Sequence, residues 1–334
     1  MTARFGIVLL TESLAGFGAL CREAEDAGFH WLGVADSQSG FRELYVSLSV
    51  AALNTRQARI GPLVTNPLTR HAVVTASAMA SIDELSGGRA ALGLGSGDSA
   101  IYTIGAPPAT LAGLEEAVRT FGRLTAGEAV ARESGTWRVH QTSRRVPVYL
   151  AAEGPKTLEL AGRVADGVIV GTGLTPEVIR LSLDAIARGA RAAGRTLDDL
   201  DVWWFAKTNV ADSRDAAIAP ITMALAASAN HAFRFTLDGK GVPVDLHERI
   251  RGLQREYDAH HHEVAGAGNA GLTDRWGLTD YLADRFAVAG SPDDCVAQLR
   301  RAMAAGARQF MITSFVPDRR VFVRRWMSDV APRV

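Results

Sequence analysis

Cysteine is nearly absent: the 334-residue chain has two, Cys21 and Cys295. Two thiols far apart exclude a disulfide framework and have no metal-ligand spacing, so they fit a reducing cytoplasm. Net charge is lacking too, with 36 Lys and Arg against 36 Asp and Glu. A balanced surface has no field to gather a phosphate backbone or an anionic bilayer, so neither nucleic acid nor membrane is expected as a partner. No apolar run reads as the ~20 residues that cross a bilayer. The opening run Phe5–Leu10 is too short for a signal core and has no charged segment before it.

What is present is enough to fill one large core: 47% hydrophobic and 22% charged residues. The length exceeds the ~250 residues of a β/α barrel with short loops. Short apolar runs alternate with helix-period segments. The runs are Phe5–Leu10, Trp31–Ala35, Arg59–Thr65, Ala90–Leu94, Val146–Ala152, Gly167–Val170, Val202–Val210 and Gln309–Ser314. None alternates polar with apolar, which is the pattern of parallel strands buried on both faces. Between them lie helix signals. Gly28 and Gly87-Gly88 are stops, Thr110 is an N-cap, Thr175-Pro176 is a cap with proline in the first turn, and Ser291–Asp294 is a capping box. The helix after the third run carries Val74, Ala78, Ile82 and Leu85 in phase.

Eight strand–helix units predict an α/β fold, a (β/α)8 TIM barrel in a single domain over residues 1–334. Two stretches interrupt the rhythm: Ala126–Arg145, with Trp137 and Arg144-Arg145, and Phe235–Asp280 between the last two strands. The second is long enough to be a lid or binding loop. Of Trp203-Trp204 in the seventh strand, one ring should point into the barrel and the other outward.

A barrel presents its chemistry in the loops after the strands. Those loops hold Asp36-Ser37, Leu63-Val64-Thr65-Asn66, Gly93–Ser99, Glu153-Gly154-Pro155 and Gly171-Thr172-Gly173. Glycines and small hydroxyls there let a planar or phosphorylated ligand approach backbone amides. Gly93–Asp98 is not a dinucleotide fingerprint: the third glycine is replaced by Asp98, and the loop follows the fourth strand rather than the first. Gly95 and Gly97 can admit a ring, while Asp98 offers a proton. No cation lies near Asp98 in sequence, so a desolvated, protonated, donating form is expected. The alternative is a capping role for Asp98. His260-His261-His262 point to different faces of any helix and read as solvated, so no metal is expected. Arg70 and His71 are either surface groups or neighbours of a bound ligand.

The strings Gly61-Pro-Leu-Val-Thr-Asn-Pro-Leu-Thr-Arg-His71, Ser86-Gly-Gly-Arg-Ala90 and Gly93-Leu-Gly-Ser-Gly-Asp98 resemble the bacterial-luciferase-like superfamily. The nearest likeness is to the branch of methylenetetrahydromethanopterin reductase and other enzymes of the deazaflavin coenzyme F420. It runs from Phe5 to about Gly173 and resumes near Ser291. The resemblance implies a non-prolyl cis peptide at Leu63–Val64 that supports the ring, with Asp36, Ser37, Thr65, Asn66, Gly95, Ser96 and Gly97 around it. It also implies a cofactor tail held at Glu153, Gly154 and Pro155 and at Gly171, Thr172 and Gly173. Asp98 matches an acidic proton shuttle, and a homodimer is implied. Where alcohol and sugar-phosphate dehydrogenases of the branch place histidine after the second-strand aspartate, this chain has Ser37, a poor base. Ala72 stands where proline is common. The implied activity is an F420-dependent reductase acting on a small organic molecule. The alternatives are a monooxygenase using reduced FMN and oxygen, or a non-catalytic flavin-binding barrel.

Overall fold

The structure, a computed structural model, describes residues 2–142, 144–261, 268–316 and 318–334. Eight parallel strands form the barrel: β1 Arg4–Leu9, β2 Trp31–Val34, β3 Arg59–Pro62, β4 Leu92–Leu94, β5 Val148–Ala152, β6 Gly167–Val170, β7 Asp201–Val210 and β8 Gln309–Ser314. Their order is β3-β2-β1-β8-β7-β6-β5-β4, and a short strand, Ala287–Gly290, adds to β7. Parallel bridges Ile60↔Ala90 and Thr65↔Leu94 join the two ends and close the ring. The (β/α)8 expectation holds.

Register follows from the glycines at the crowded positions. Gly61 lies against the β4 segment, where an added Cβ would sit 1.8 Å from the Ala91 carbonyl oxygen. Regular pairing of the third strand ends at Pro62, earlier than the expected Thr65, and the Leu63–Val64 peptide that follows is cis. The hydrogen bonds then shift: Leu63 N–H donates to Val34 O (2.8 Å), and Thr65 N–H reaches across to Gly93 O (3.0 Å).

Alternation sorts the apolar side chains. Val8, Trp31, Leu63, Tyr149, Ile169, Trp203 and Met311 fill the barrel. Ile7, Leu9, Leu32, Val34 and Trp204 face the helical shell. The tryptophan pair divides as its spacing requires. At the N-terminal end Arg59 lies 5.1 Å from the ring centroids of both Trp31 and Tyr149 and bonds Asp201 at 2.6 Å, while the Tyr149 hydroxyl donates to the same carboxylate at 2.7 Å. That end is plugged, and the opposite end is open.

The helix signals hold at Gly28, Gly87, Thr110, Thr175-Pro176 and Ser291–Asp294. The third helix, Ala72–Ser86, departs from its expected stripe. Met79, Ala76 and Ile82 are buried, whereas Val74 and Leu85 are exposed. The first interruption forms a hairpin of Val130–Arg132 and Gly135–Trp137, and Arg144 is bound to buried Asp83 at 2.7 Å. A further expectation is corrected at 214–233. This 20-residue helical stretch is long and apolar enough to cross a bilayer, but two thirds of it is buried against the rest of the protein. It is a core helix, interrupted at Pro220.

Within the second interruption, Leu237, Ile250, Leu253, Leu272 and Leu278 join Leu225, Ala229 and Phe233 of that stretch in a second apolar cluster. His261 is exposed, with Nδ1 2.6 Å from Asp258; His262 and the side chain of His260 lie outside the described residues.

Gly61→Ala should therefore lower stability by about 3 kcal/mol or more, since neither backbone can retreat without opening the seam. Gly105→Ala, at φ 71 with no atom near, should cost only the left-handed penalty of about 1–2 kcal/mol. Denaturant melts of the two variants compare them directly; equal losses would refute the steric account.

Candidate active site

At the open end the strand loops surround a cavity of about 1040 Å³. Asp36, Ser37, Leu63, Val64, Thr65, Asn66, Gly95, Ser96, Gly97, Asp98, Glu153, Gly154, Pro155 and Gly171 all line it. Thr172 and Gly173 do not. The Thr172 hydroxyl pairs with Ser182 (2.8 Å), its carbonyl accepts from Arg285 Nε (2.9 Å), and Gly173 packs on that same arginine. They are scaffold for the wall rather than its surface.

Asp36 follows β2, and its carboxylate is held by Arg70 Nη1 and Nη2 at 2.7 and 3.1 Å and by the Thr65 hydroxyl at 2.6 Å. Arg70 also bonds Glu43 (3.1 Å), which caps the Leu44–Asn54 helix through Val46 N–H. Arg70 is thus a tie between the β2 and β3 loops, and His71 is the N-cap of the next helix. Asn66 turns the loop by accepting from Leu68 and Thr69 N–H at 3.0 and 2.9 Å. Ser37 and Ser99 share a hydrogen bond of 2.9 Å.

The floor is built for close approach. A Cβ on Gly95 would meet Val64 Cγ2 at 2.9 Å, and Gly97 has φ 95, which only glycine adopts without strain. Gly171 leaves room for the Glu153 side chain, whose Oε1 lies 2.5 Å from where a Cβ would be. The Thr313 hydroxyl, on the lining, is buried with no partner among the described residues. A flat ring system with polar edges fits such a floor.

The other wall was not legible in the strand-loop pattern. The Thr222–Phe233 helix and the residues after it bring His231, Arg234 and Lys240 to the cavity. Arg234 donates to the Gly97 carbonyl (3.1 Å), the Tyr102 hydroxyl (3.2 Å) and the Ser96 hydroxyl, with Nη1 3.9 Å from Asp98. The expectation of an Asp98 without a cationic neighbour is overturned: the cation comes from the segment just after the Thr222–Phe233 helix, far along the chain. Nor does the Asp98 side chain cap the short Ser99–Tyr102 helix.

His231 Nδ1 lies 2.6 Å from Glu153. Burial favours its neutral form, but the Glu153 and Asp98 carboxylates outweigh it and raise its pKa above the ordinary value. Lys240 donates to the Ala232 carbonyl, and burial brings its pKa down to about 8 despite Glu153 nearby. Lys207 Nζ sits 5.0 and 5.2 Å from the Phe205 and Phe315 rings. The sequence signal for this wall was His231 as the only titratable group in an otherwise apolar helix, with Arg234 and Lys240 just beyond its end.

Arg285 binds the wall to the barrel. It is 1% exposed and forms no ion pair among the described residues; its guanidinium donates to the Thr172, Lys240 and Gly241 carbonyls and the Tyr281 hydroxyl. Phe233 and Phe286 lie 4.9 and 5.5 Å from it.

The sequence profile of the luciferase-like monooxygenase family matches residues 2–309. The chain belongs to that family. Among its relatives, the 5,10-methylenetetrahydromethanopterin reductase of Methanolobus tindarius is 33% identical over 302 residues, 87% of each chain. The enzyme of the same name from Archaeoglobus fulgidus is 31% identical over 93% of each. Among solved structures, the coenzyme F420 dependent tetrahydromethanopterin reductase of Methanopyrus kandleri superposes with a TM-score of 0.79, at 26% identity and 99% coverage of both chains. The family resemblance read from the three sequence strings is borne out, and the cis Leu63–Val64 peptide is where that resemblance puts it.

The charge balance of this wall can be read from its pH response. Unfolded, Lys240 holds its proton up to its ordinary value of 10.5; folded, it releases it at about 8. Between those values the unfolded chain binds the extra proton, so Lys240 makes stability rise with pH across that window. Lys240→Met should flatten the rise, measured by urea unfolding at several pH values between the two. An unchanged slope would mean that Lys240 is not the buried base.

Proposed function

We propose that the protein is a deazaflavin (F420)-dependent reductase that acts on a small organic molecule with a C=C or C=N bond. The observation that carries this reading is the glycine floor beside Val64, in a chain similar along its whole length to a coenzyme F420 dependent reductase. When bound, reduced deazaflavin would supply a hydride to an electron-poor carbon. Leu63, Val64, Gly95, Ser96 and Gly97 would hold its ring, with Asp36 and Thr65 keeping those loops in register. Glu153, Gly154, Pro155 and Gly171 would flank the remainder, at the start of the Pro155–Val164 helix. Asp98, beside Arg234, gives the site a fixed carboxylate near the acceptor. The absence of a histidine at position 37 favours reduction over alcohol oxidation. The 235–280 segment serves as a side wall that selects the acceptor, within a single barrel domain.

We further infer a homodimer. Helix Leu44–Asn54 has no charged residue, and it packs beside Ala72–Ser86, whose first eleven residues have none either. Leu53 is 69% exposed and Val74 56%; an apolar face of that kind on adjacent helices suits a second copy of the chain. The two buried thiols suit a reducing cytoplasm.

Titration with F420 and with FMN, followed by ring fluorescence, tests the cofactor. F420 should bind at least ~10-fold more tightly, about 1.4 kcal/mol; binding of FMN alone would overturn the reading in favour of a monooxygenase. Reoxidation of reduced F420 by a panel of imines and activated alkenes then identifies the acceptor. For the dimer, the Leu53→Glu, Val74→Glu double variant should halve the mass seen by light scattering while leaving the circular dichroism unchanged. A native mass in that variant would exclude this face.

A further inference from the structure

His231 stands apart from the strand-end residues. It is in the last turn of a helix that is otherwise apolar or uncharged, yet its ring reaches the cavity, with its side chain 29% exposed. Glu153, from the β5 loop, meets it at Nδ1. Nε2 has no partner among the described residues. Among the described residues, the charged groups around the ring are Glu153 and Asp98 from the barrel loops, Arg234 one turn further along its own segment, and Lys240 from the loop beyond, close to Glu153. Two carboxylates facing one imidazole, across a cavity that also holds a ring-sized glycine floor, are more than a helix tie requires.

We propose that His231, gripped at Nδ1 by Glu153, is the catalytic acid of the reduction and delivers the proton from Nε2 to the acceptor. This rests on the reductase reading above. The acceptor C=X gains a hydride, with its two electrons, at carbon. The electron pair of the C=X π bond moves to X, and X takes the Nε2 proton. His231 is left as neutral imidazole with its Nδ1–H toward Glu153, and solvent at the cavity mouth returns the proton. Asp98 is then a positioning residue: its charge favours the imidazolium, and Arg234 fixes its loop. The raised pKa of His231 agrees in direction with a ring whose protonated form the two carboxylates favour.

The test is NMR of protein with nitrogen-labelled histidines, with His231 assigned by the loss of its signals in His231→Gln. In the ligand-free protein both ring nitrogens should carry protons at neutral pH, and the pKa should fall toward the ordinary value in Glu153→Gln. Adding F420, with binding followed separately by fluorescence, should move the Nε2 resonance. With the best acceptor from the panel, turnover of the native enzyme should fall as pH rises through the His231 pKa. His231→Gln should lose ~10²–10⁴-fold in kcat, keep KM within about threefold, and lose that alkaline fall. Glu153→Gln, which keeps the imidazole, should move the fall to lower pH and serves if His231→Gln does not fold. A neutral imidazole at pH 7 overturns the proposal, as does an unshifted Nε2 with F420 demonstrably bound or a His231→Gln enzyme with native turnover. If F420 does not bind, the reductase reading fails, and this proposal fails with it, whatever the charge on the ring.

Discussion

The barrel closes where two backbones touch: Gly61 of the third strand against the Ala91 carbonyl before the fourth. A ring of eight strands has one seam that must be brought together from distant ends of the sheet order, and here it allows no side chain. Everything on the cavity floor hangs from this seam. The cis Leu63–Val64 peptide begins two residues above Gly61, and the Gly95–Gly97 turn follows the partner strand. Because both start from a fixed contact, the Val64 methyls and the Gly95 backbone meet at a set distance. The floor is an extension of the seam, and its geometry is inherited from the sheet rather than made by loops.

Above that floor the charges are arranged in two groups that answer different needs. Asp36 and Glu43 share the Arg70 guanidinium and serve as struts, with the Asp36 side chain 3% exposed. In the opposing group, Asp98 and Glu153 face Arg234 and Lys240 around His231, and the pKa values of His231 and Lys240 are both displaced, so its protons can respond to what enters. Buried ionisable groups cost free energy unless they are paired. A cluster that retains titratable members in a cavity wall is therefore better explained by chemistry than by stability.

The barrel and most of its helix caps were readable because they rest on local rules: buried parallel strands lose polar alternation, and caps need particular side chains within three residues. The floor was readable for a similar reason, since close approach needs glycine and glycine is visible. Asp98 was found, but its surroundings were not. Its cation, Arg234, arrives through the packing of an apolar helix, and no periodicity in the strand loops announces that. Thr172 and Gly173 looked like lining because they follow a strand; the buried arginine behind them took their polar groups instead. The exposed Val74 and Leu85 were assigned to the core because apolar phase marks a buried face without saying what buries it.

Arg285 is enclosed by oxygen dipoles from three carbonyls and a hydroxyl, with the Phe233 and Phe286 rings beside it and no ion pair among the described residues. Such a charge is solvated by the fold itself, as an ion is by the oxygens of a macrocycle, and it stays solvated only while the β6 loop and the 240–241 backbone converge on it. The 240–241 backbone is thereby moored to the loop after β6. Side chains of that wall which do not touch Arg285 can change without loosening this mooring, so changes in what the cavity accepts can accumulate independently of the floor beneath it.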